Sequence, residues 1–164
     1  MPPLAERSAW GALKRKELDG ADLVFLDPDT GIGKETKKQA TFSEIGLLRK
    51  PKRTIIVISF PHKGMPYKAQ LRQLHQRLTD EAQAENIVTL CTNVSVPIEG
   101  SRFVVQRPRW FTVIDPDAEL TARARAFDAA LLSVRRVKAR LWTMRREGGG
   151  DGLATVTAAA TPCR

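Results

Sequence analysis

Two short apolar runs, each closed by a proline, limit what this chain can fold into. Asp22-Leu-Val-Phe-Leu-Asp27 meets Pro28, and Thr54-Ile-Ile-Val-Ile-Ser-Phe60 meets Pro61. Apolar residues that do not alternate with polar ones belong to strands buried on both faces. The β-branched side chains of the second run favour extended chain, and a proline cannot donate the next ladder hydrogen bond. Both runs are therefore expected at the centre of a sheet, each delivering a loop where its strand ends.

The segments between and after them supply helices. Pro3 to Leu18 reads as an amphipathic helix carrying Leu4, Trp10, Leu13 and Leu18, stopped at Asp19-Gly20. Thr41-Phe-Ser-Glu44 has the spacing of a capping box ahead of a short helix. Tyr67, Leu71, Leu74, Leu78 and Ala82 recur at helical spacing over 67–84, a length that can carry a crossover between parallel strands. Ile87 to Cys91 follows as a third strand, and Arg102–Gln106 and Trp110–Ile114 flank Arg107-Pro-Arg as an expected antiparallel hairpin at one sheet edge. The alternation predicts an α/β, Rossmann-like fold with about three parallel strands plus that hairpin.

Length and charge set the organisation. A chain of 164 residues with 42% hydrophobic and 27% charged side chains suits one globular domain, expected over 1–117. The formal net charge of +9 points to an anionic partner such as nucleic acid. Much of the excess lies in 121–146, where eight basic residues face one acidic residue. From Ala118 to Met144 an apolar stripe of Phe127, Leu131, Val134, Val137 and Leu141 predicts a basic amphipathic helix over 118–146. Its Arg123, Arg135, Arg136, Lys138 and Arg140 are candidates for phosphate contacts. Residues 147–164, with Gly148-Gly-Gly and an Ala/Thr-rich end, are expected to be disordered. No apolar run exceeds the four residues of Ile55–Ile58, so no membrane span is expected, and the first residues lack a secretory layout, leaving the cytoplasm as the expected compartment. Cys91 and Cys163 provide neither a disulfide framework nor a zinc-ligand spacing.

In open parallel sheets ligands bind beyond the carboxyl ends of the strands. The first strand delivers Asp27-Pro28-Asp29-Thr30-Gly31, the second Ser59-Phe-Pro-His62-Lys63, and the third Thr92-Asn93. Asp27, Asp29 and His62 are the candidate catalytic groups, since carboxylates and an imidazole can orient a nucleophile or move its proton. Pro28, Thr30, Gly31, Ser59, Lys63 and Asn93 are the candidate substrate contacts. A plain structural role is also open, with Asp29 and Thr30 making an Asx-type turn and Asp27 capping the next segment. Gly31-Ile-Gly-Lys is not a P-loop, because Pro28 stands where that motif needs its first glycine. His75, between Leu74 and Gln76, is expected at the surface.

Ala9-Trp10 with Gly20-Ala-Asp-Leu-Val-Phe-Leu-Asp-Pro-Asp-Thr-Gly-Ile resembles an uncharacterised bacterial family whose core reads Asp-Leu-Val-Phe-Leu-Asp-Pro-Asp-Asn-Gly, over roughly Arg7 to Trp110. Phe60-Pro61-His62 is similar to that family's aromatic/His/Pro cluster, and Thr30 stands for its Asn. The family in turn looks like class I S-adenosylmethionine-dependent methyltransferases, whose Asp-Pro-Pro-like motif faces methyl donor and target base. The resemblance implies that Asp27 and Asp29 orient the accepting atom and that the substrate is nucleic acid. It also implies that only the second half of such a sheet is present, because no Gly-rich turn and no ribose-binding acid precede Asp22. A sheet edge open to a second copy or to a partner chain follows from that.

Two other readings stand beside it. Asp27-Pro-Asp29 is similar to the first motif of haloacid dehalogenase-like phosphatases, which would make Asp27 a nucleophile and Asp29 an acid/base. Ser59 would then bind phosphate and Asp115-Pro-Asp117 would ligate Mg²⁺. Alternatively the chain is a non-enzymatic module that binds nucleic acid through its basic terminal helix alone.

Overall fold

In the computed structural model, which describes residues 6–33, 38–97, 100, 104–133 and 137–145, helix α1 (Arg7–Glu17) leads into strand β1 (Leu23–Leu26). A minimal ribbon of β2 (Ile32–Gly33) and β3 (Ala40–Thr41) precedes helix α2 (Phe42–Leu48). Strand β4 (Thr54–Ser59), helix α3 (Tyr67–Glu81) and strands β5 (Asn86–Pro97) and β6 (Val104–Ile114) follow. Helix α4 (Ala118–Leu132) and strand β7 (Val137–Arg145) complete the described chain. Among the described residues no helix is long and apolar enough to cross a membrane.

The main sheet has five strands in the order β1-β4-β6-β5-β7. β1 and β4 are adjacent and parallel, with Phe25 opposite Ile56. β6 is antiparallel to both β4 and β5, and β7 is antiparallel to β5. β1, β4 and β5 therefore share one direction, as expected of the three parallel strands, but β6 separates β5 from β4. The fold is α/β with a mixed sheet.

β1, expected at the centre of the sheet, is an edge strand, and three further expectations are corrected. The predicted hairpin within 102–114 is a single strand that passes through Pro108, and it lies inside the sheet, not at its edge. The hairpin is instead β5 with β6, joined too briefly for the crossover that parallel neighbours require. Pro108 is tolerated because β4 ends at Ser59, opposite Trp110, so β6 has only β5 as its neighbour there. The predicted helix over 118–146 stops at Leu132. Val137 to Arg145 pairs instead with the free edge of β5, whose hydrogen-bonding demand outweighs helix propensity in a segment that also alternates at period two. The sheet domain thus runs past residue 117 to Arg145. The predicted first helix begins at Arg7, and Leu4 and the 147–164 tail lie outside the described residues.

One face of the sheet is closed by α2 and α3. Phe42, Ile45 and Leu48 from α2 and Leu78 from α3 meet Val24, Ile55, Val57, Ile87 and Ile114 in one core. The capping box forms as the spacing predicted, Thr41 accepting from the Glu44 amide while the Glu44 carboxylate accepts from the Thr41 amide at 2.8 Å. Glu44 also takes the Arg7 guanidinium. Burial alone would raise its pKa, but the Arg7 and Thr41 hydrogen bonds hold it below the ordinary value. On the opposite face Val88, Leu90 and Val113 are buried, whereas Leu23 and Phe25 at the β1 edge are 55% and 56% exposed.

Arg53, 3% exposed, ties this arrangement together. Its guanidinium donates to the carbonyls of Ala21 at 2.8 Å, Leu48 at 2.6 Å, Asp19 at 3.2 Å and Leu18. Arg53→Met would remove this donor from all four carbonyls, leaving Leu18 with the Ala21 amide and Asp19 with the Lys50 ammonium, and is expected to cost about 3 kcal/mol, read as a lowered urea midpoint.

His75 is not a surface residue, because the helix turns it into the sheet, where it is buried with Nε2 2.8 Å from the Thr89 hydroxyl. Thr89 in turn bonds Thr112 at 3.1 Å. Desolvation pushes the His75 pKa down from 6.5 to about 4. The unfolded chain gains its proton near pH 6.5 and the folded chain only near pH 4, so stability is intact above pH 6.5 and falls as pH drops through that window. The loss at the foot of the window is on the order of 3 kcal/mol. Urea midpoints followed across that range are expected to flatten in His75→Leu.

Candidate functional site

The β1 and β4 carboxyl ends lie side by side, and the loop after β1 folds over the end of β4. Pro28 to Gly31 makes a turn closed by the Gly31 amide on the Pro28 carbonyl at 3.3 Å. Gly31 has a φ of +89°, and a Cβ placed there would stand 2.8 Å from the Ser59 Cα. Glycine is thus required twice, for the left-handed backbone and for the close approach. Thr30 is anchored as well, its amide and hydroxyl reaching the Lys38 carbonyl at 3.0 and 3.2 Å.

Pro28 is buried, while Asp27 and Asp29 are exposed beside it. Neither carboxylate has a hydrogen bond or ion pair among the described residues, so the Asx-turn and capping roles are not what holds them. The Ser59 hydroxyl is buried directly beneath Gly31 and has no hydrogen-bond partner among the described residues. A buried hydroxyl in that state marks a place where a ligand or water completes the pairing.

The loop after β4 is clamped by Gln70 of α3. The Gln70 side-chain carbonyl accepts from the His62 amide at 3.1 Å, and its amide donates to the His62 carbonyl at 2.6 Å and the Met65 carbonyl at 2.5 Å. The exposed His62 ring takes the Gly64 amide on Nδ1 at 3.2 Å. With Nδ1 accepting, a neutral ring carries its proton on Nε2, so His62 presents a donor suited to a phosphate or carbonyl oxygen. Lys63 is exposed next to it.

The structure brings Asp27, Pro28, Asp29, Thr30, Gly31, Ser59, His62 and Lys63 to one rim. Asn93 is not with them. It lies on β5, three strands from β1, a lateral separation of roughly 14 Å at normal strand spacing. The five basic candidates do not share a helix either. Arg123 is on α4 and paired with Glu119, Lys138 and Arg140 are on β7, and Arg135 and Arg136 lie outside the described residues.

Asp115 and Asp117 occupy the opposite end of the sheet. Ile114 pairs with Ile55 at the start of β4, whereas Ser59 ends that strand. Asp115 bonds Arg49 at 2.5 Å and the Glu85 and Asn86 amides at 2.8 and 3.1 Å, and Asp117 caps α4 through the Leu120 amide at 2.6 Å. Among the described residues no three His, Cys, Asp or Glu side chains gather as a metal site, so the residues do not fit the Mg²⁺ that the phosphatase resemblance implies.

A cavity of about 240 Å³ runs along the outer side of β1, between α1 and α2, and reaches Asp27 and Pro28. Of its two carboxylates, Glu44 is engaged by Arg7 and Thr41. β1 is the edge strand, so no described strand beyond it brings a Gly-rich turn or a ribose-binding acid. The described residues therefore do not fit S-adenosylmethionine as a complete site.

Compared with known proteins, the chain matches no family model and no curated protein. Sequence reasoning located the β1 loop but missed Phe60, Tyr67, Lys68, Arg72 and Arg109, which surround the same rim. A signal for the first four was available, because no Asp or Glu occurs from Phe60 to Thr79, whereas Arg109 comes from β6.

Gly31→Ala is expected to destabilise the protein by about 1–3 kcal/mol, while Gly20→Ala, whose added methyl meets nothing within 4 Å, is expected to change stability by less than about 0.5 kcal/mol, both read by urea unfolding.

Proposed function

We propose that this chain is a methyltransferase-like module that engages nucleic acid, contributing the target-binding side of a Rossmann-like site. The observation that carries the reading is the pair of exposed carboxylates, Asp27 and Asp29, flanking buried Pro28 at the carboxyl end of β1, in a loop locked by Gly31 over Ser59 at the adjoining end of β4. Ligands of α/β sheets bind at such ends. The shared direction of β1, β4 and β5 supports it further.

The chemistry follows from the free groups. Asp27 and Asp29 are acceptors without partners among the described residues, suited to the exocyclic amine of a base. His62 offers an Nε2 donor and Lys63 a positive charge for the adjoining phosphate or carbonyl. The donor-holding half would stand beyond β1, supplied by a partner chain that completes the sheet. A non-enzymatic nucleic-acid module would use the basic residues without the carboxylates.

The test is binding of an oligonucleotide and of the same strand carrying abasic positions, with Asp27→Ala and Asp29→Ala. The reading expects each variant to lose roughly tenfold in affinity for the intact strand, about 1.4 kcal/mol, with a smaller effect on the abasic strand. Equal affinity of wild type and both variants would overturn it in favour of the non-enzymatic module.

A further inference from the structure

We propose that the connection 60–66 and the first half of α3 form a contact surface for single-stranded nucleic acid. Phe60 and Tyr67 stack on unpaired bases, while Lys63, Lys68, Arg72 and Arg109 neutralise the strand's phosphates. This rests on the nucleic-acid reading above and names the form of the partner and the residues that hold it.

Charge is the first support. Residues 60–79 contain no Asp or Glu, and Lys63, Lys68 and Arg72 are exposed without an ion pair among the described residues. Farther along α3 Arg77 is paired with Glu81, and on α4 Arg123 is paired with Glu119. Lys68 and Arg72 are four residues apart on α3, so they share one face about a turn apart. Two like charges left next to each other in this way repel unless an anion lies across them.

The rings are the second support. Phe60 is 38% exposed and Tyr67 47% exposed. Tyr67 meets buried Trp110 edge to face, with centroids 6.0 Å apart and planes at 89°, a contact that fixes the ring and leaves at least one of its faces uncovered. The Arg109 guanidinium carbon lies over one face of the Phe60 ring, 5.6 Å from its centroid, so a base would stack on the opposite face with a positive charge behind the ring. Interleaved rings and cations on a held backbone are what a single strand requires, since stacking needs a free base face and duplex bases do not offer one.

Position is the third. Gly31 is packed against Phe60 as well as Ser59, since a Cβ there would lie 3.2 Å from the Phe60 amide nitrogen. The Gln70 clamp holds the connection in place before any ligand arrives. A strand stacked on Phe60 would therefore pass beside Asp27 and Asp29.

The experiment is fluorescence anisotropy of the full chain with labelled single strands of DNA and of RNA and with the corresponding duplex, across a salt series. Either single strand is expected to bind at least about tenfold more tightly than the duplex, and the two arms identify which polymer is preferred. Phe60→Leu and Tyr67→Leu, which keep apolar bulk, are expected to lose roughly tenfold or more for the single strand and little for the duplex. Tyr67→Phe is expected to retain binding. Lys68→Ala with Arg72→Ala should lower the logarithmic salt slope by about 1.4, at about 0.7 per phosphate contact, while Arg15→Ala on α1 leaves it unchanged. Equal binding of single strand and duplex with silent ring variants would overturn the proposal, as would displacement of the strand by polyglutamate at equal charge. Loss in the ring and cation variants with no effect of Asp27→Ala would sustain this surface and overturn the target-binding role of Asp27 and Asp29, and the reverse pattern would do the opposite.

Discussion

The position of the site depends on a buried guanidinium that has no carboxylate partner among the described residues. Arg53 is placed where the carboxyl ends of α1 and α2 come together, and it is satisfied by main-chain oxygens: Leu18 and Asp19 at the exit of α1, Ala21 before β1, and Leu48 at the end of α2. Helix carboxyl ends carry partial negative charge and unpaired carbonyls, so a single cation answers both needs. At the other end of the same helices, Arg7 joins Glu44 and the Gln39 carbonyl. With the helices fixed at both ends, the Thr54 amide meets the Asp22 carbonyl at 2.8 Å and the β1–β4 register is set. That register brings the end of β1 alongside the end of β4, where the loop after β1 sets Gly31 over Ser59.

Local chemistry was readable wherever one residue type had one physical consequence. Pro28 and Pro61 bounded the first two long strands, Thr41 and Glu44 announced the start of α2, and the Tyr67 to Leu78 spacing gave α3. Pairing was not readable. Whether Val104 to Ile114 is one strand or two depends on what lies opposite Pro108, which is settled by where β4 stops. Likewise, the apolar positions of 137–145 fit a helix or a strand, and the open edge of β5 decided between them. His75 was misjudged because its neighbours in sequence, Leu74 and Gln76, say nothing of which side of α3 turns inward to Thr89.

The site was legible in part for the same reason. Asp27 to Gly31 followed from one strand end and the rule that loops there face ligands, and the fold kept them together. Asn93 is set apart because β6 enters between β4 and β5, and Arg123, Lys138 and Arg140, read as parts of one helix, are divided between α4 and β7. The aromatic and basic residues around Phe60 belong to three elements. Only the β4–β6 register, with Ser59 opposite Trp110, brings Arg109 next to Phe60.

The insertion of β6 between β4 and β5 also orders events in time. β4, with Ile55 to Ile58, is the strand best suited to pair with any free edge it meets. On one side it has the four residues of β1, made before it. Its other side stays open throughout synthesis of α3, β5 and the turn that follows, until Val104 to Ile114 has emerged and can enter as a hairpin with β5. The late, long-range closure of that gap, not the formation of any helix, governs how fast the sheet is completed and how long its stickiest strand remains exposed to neighbouring chains.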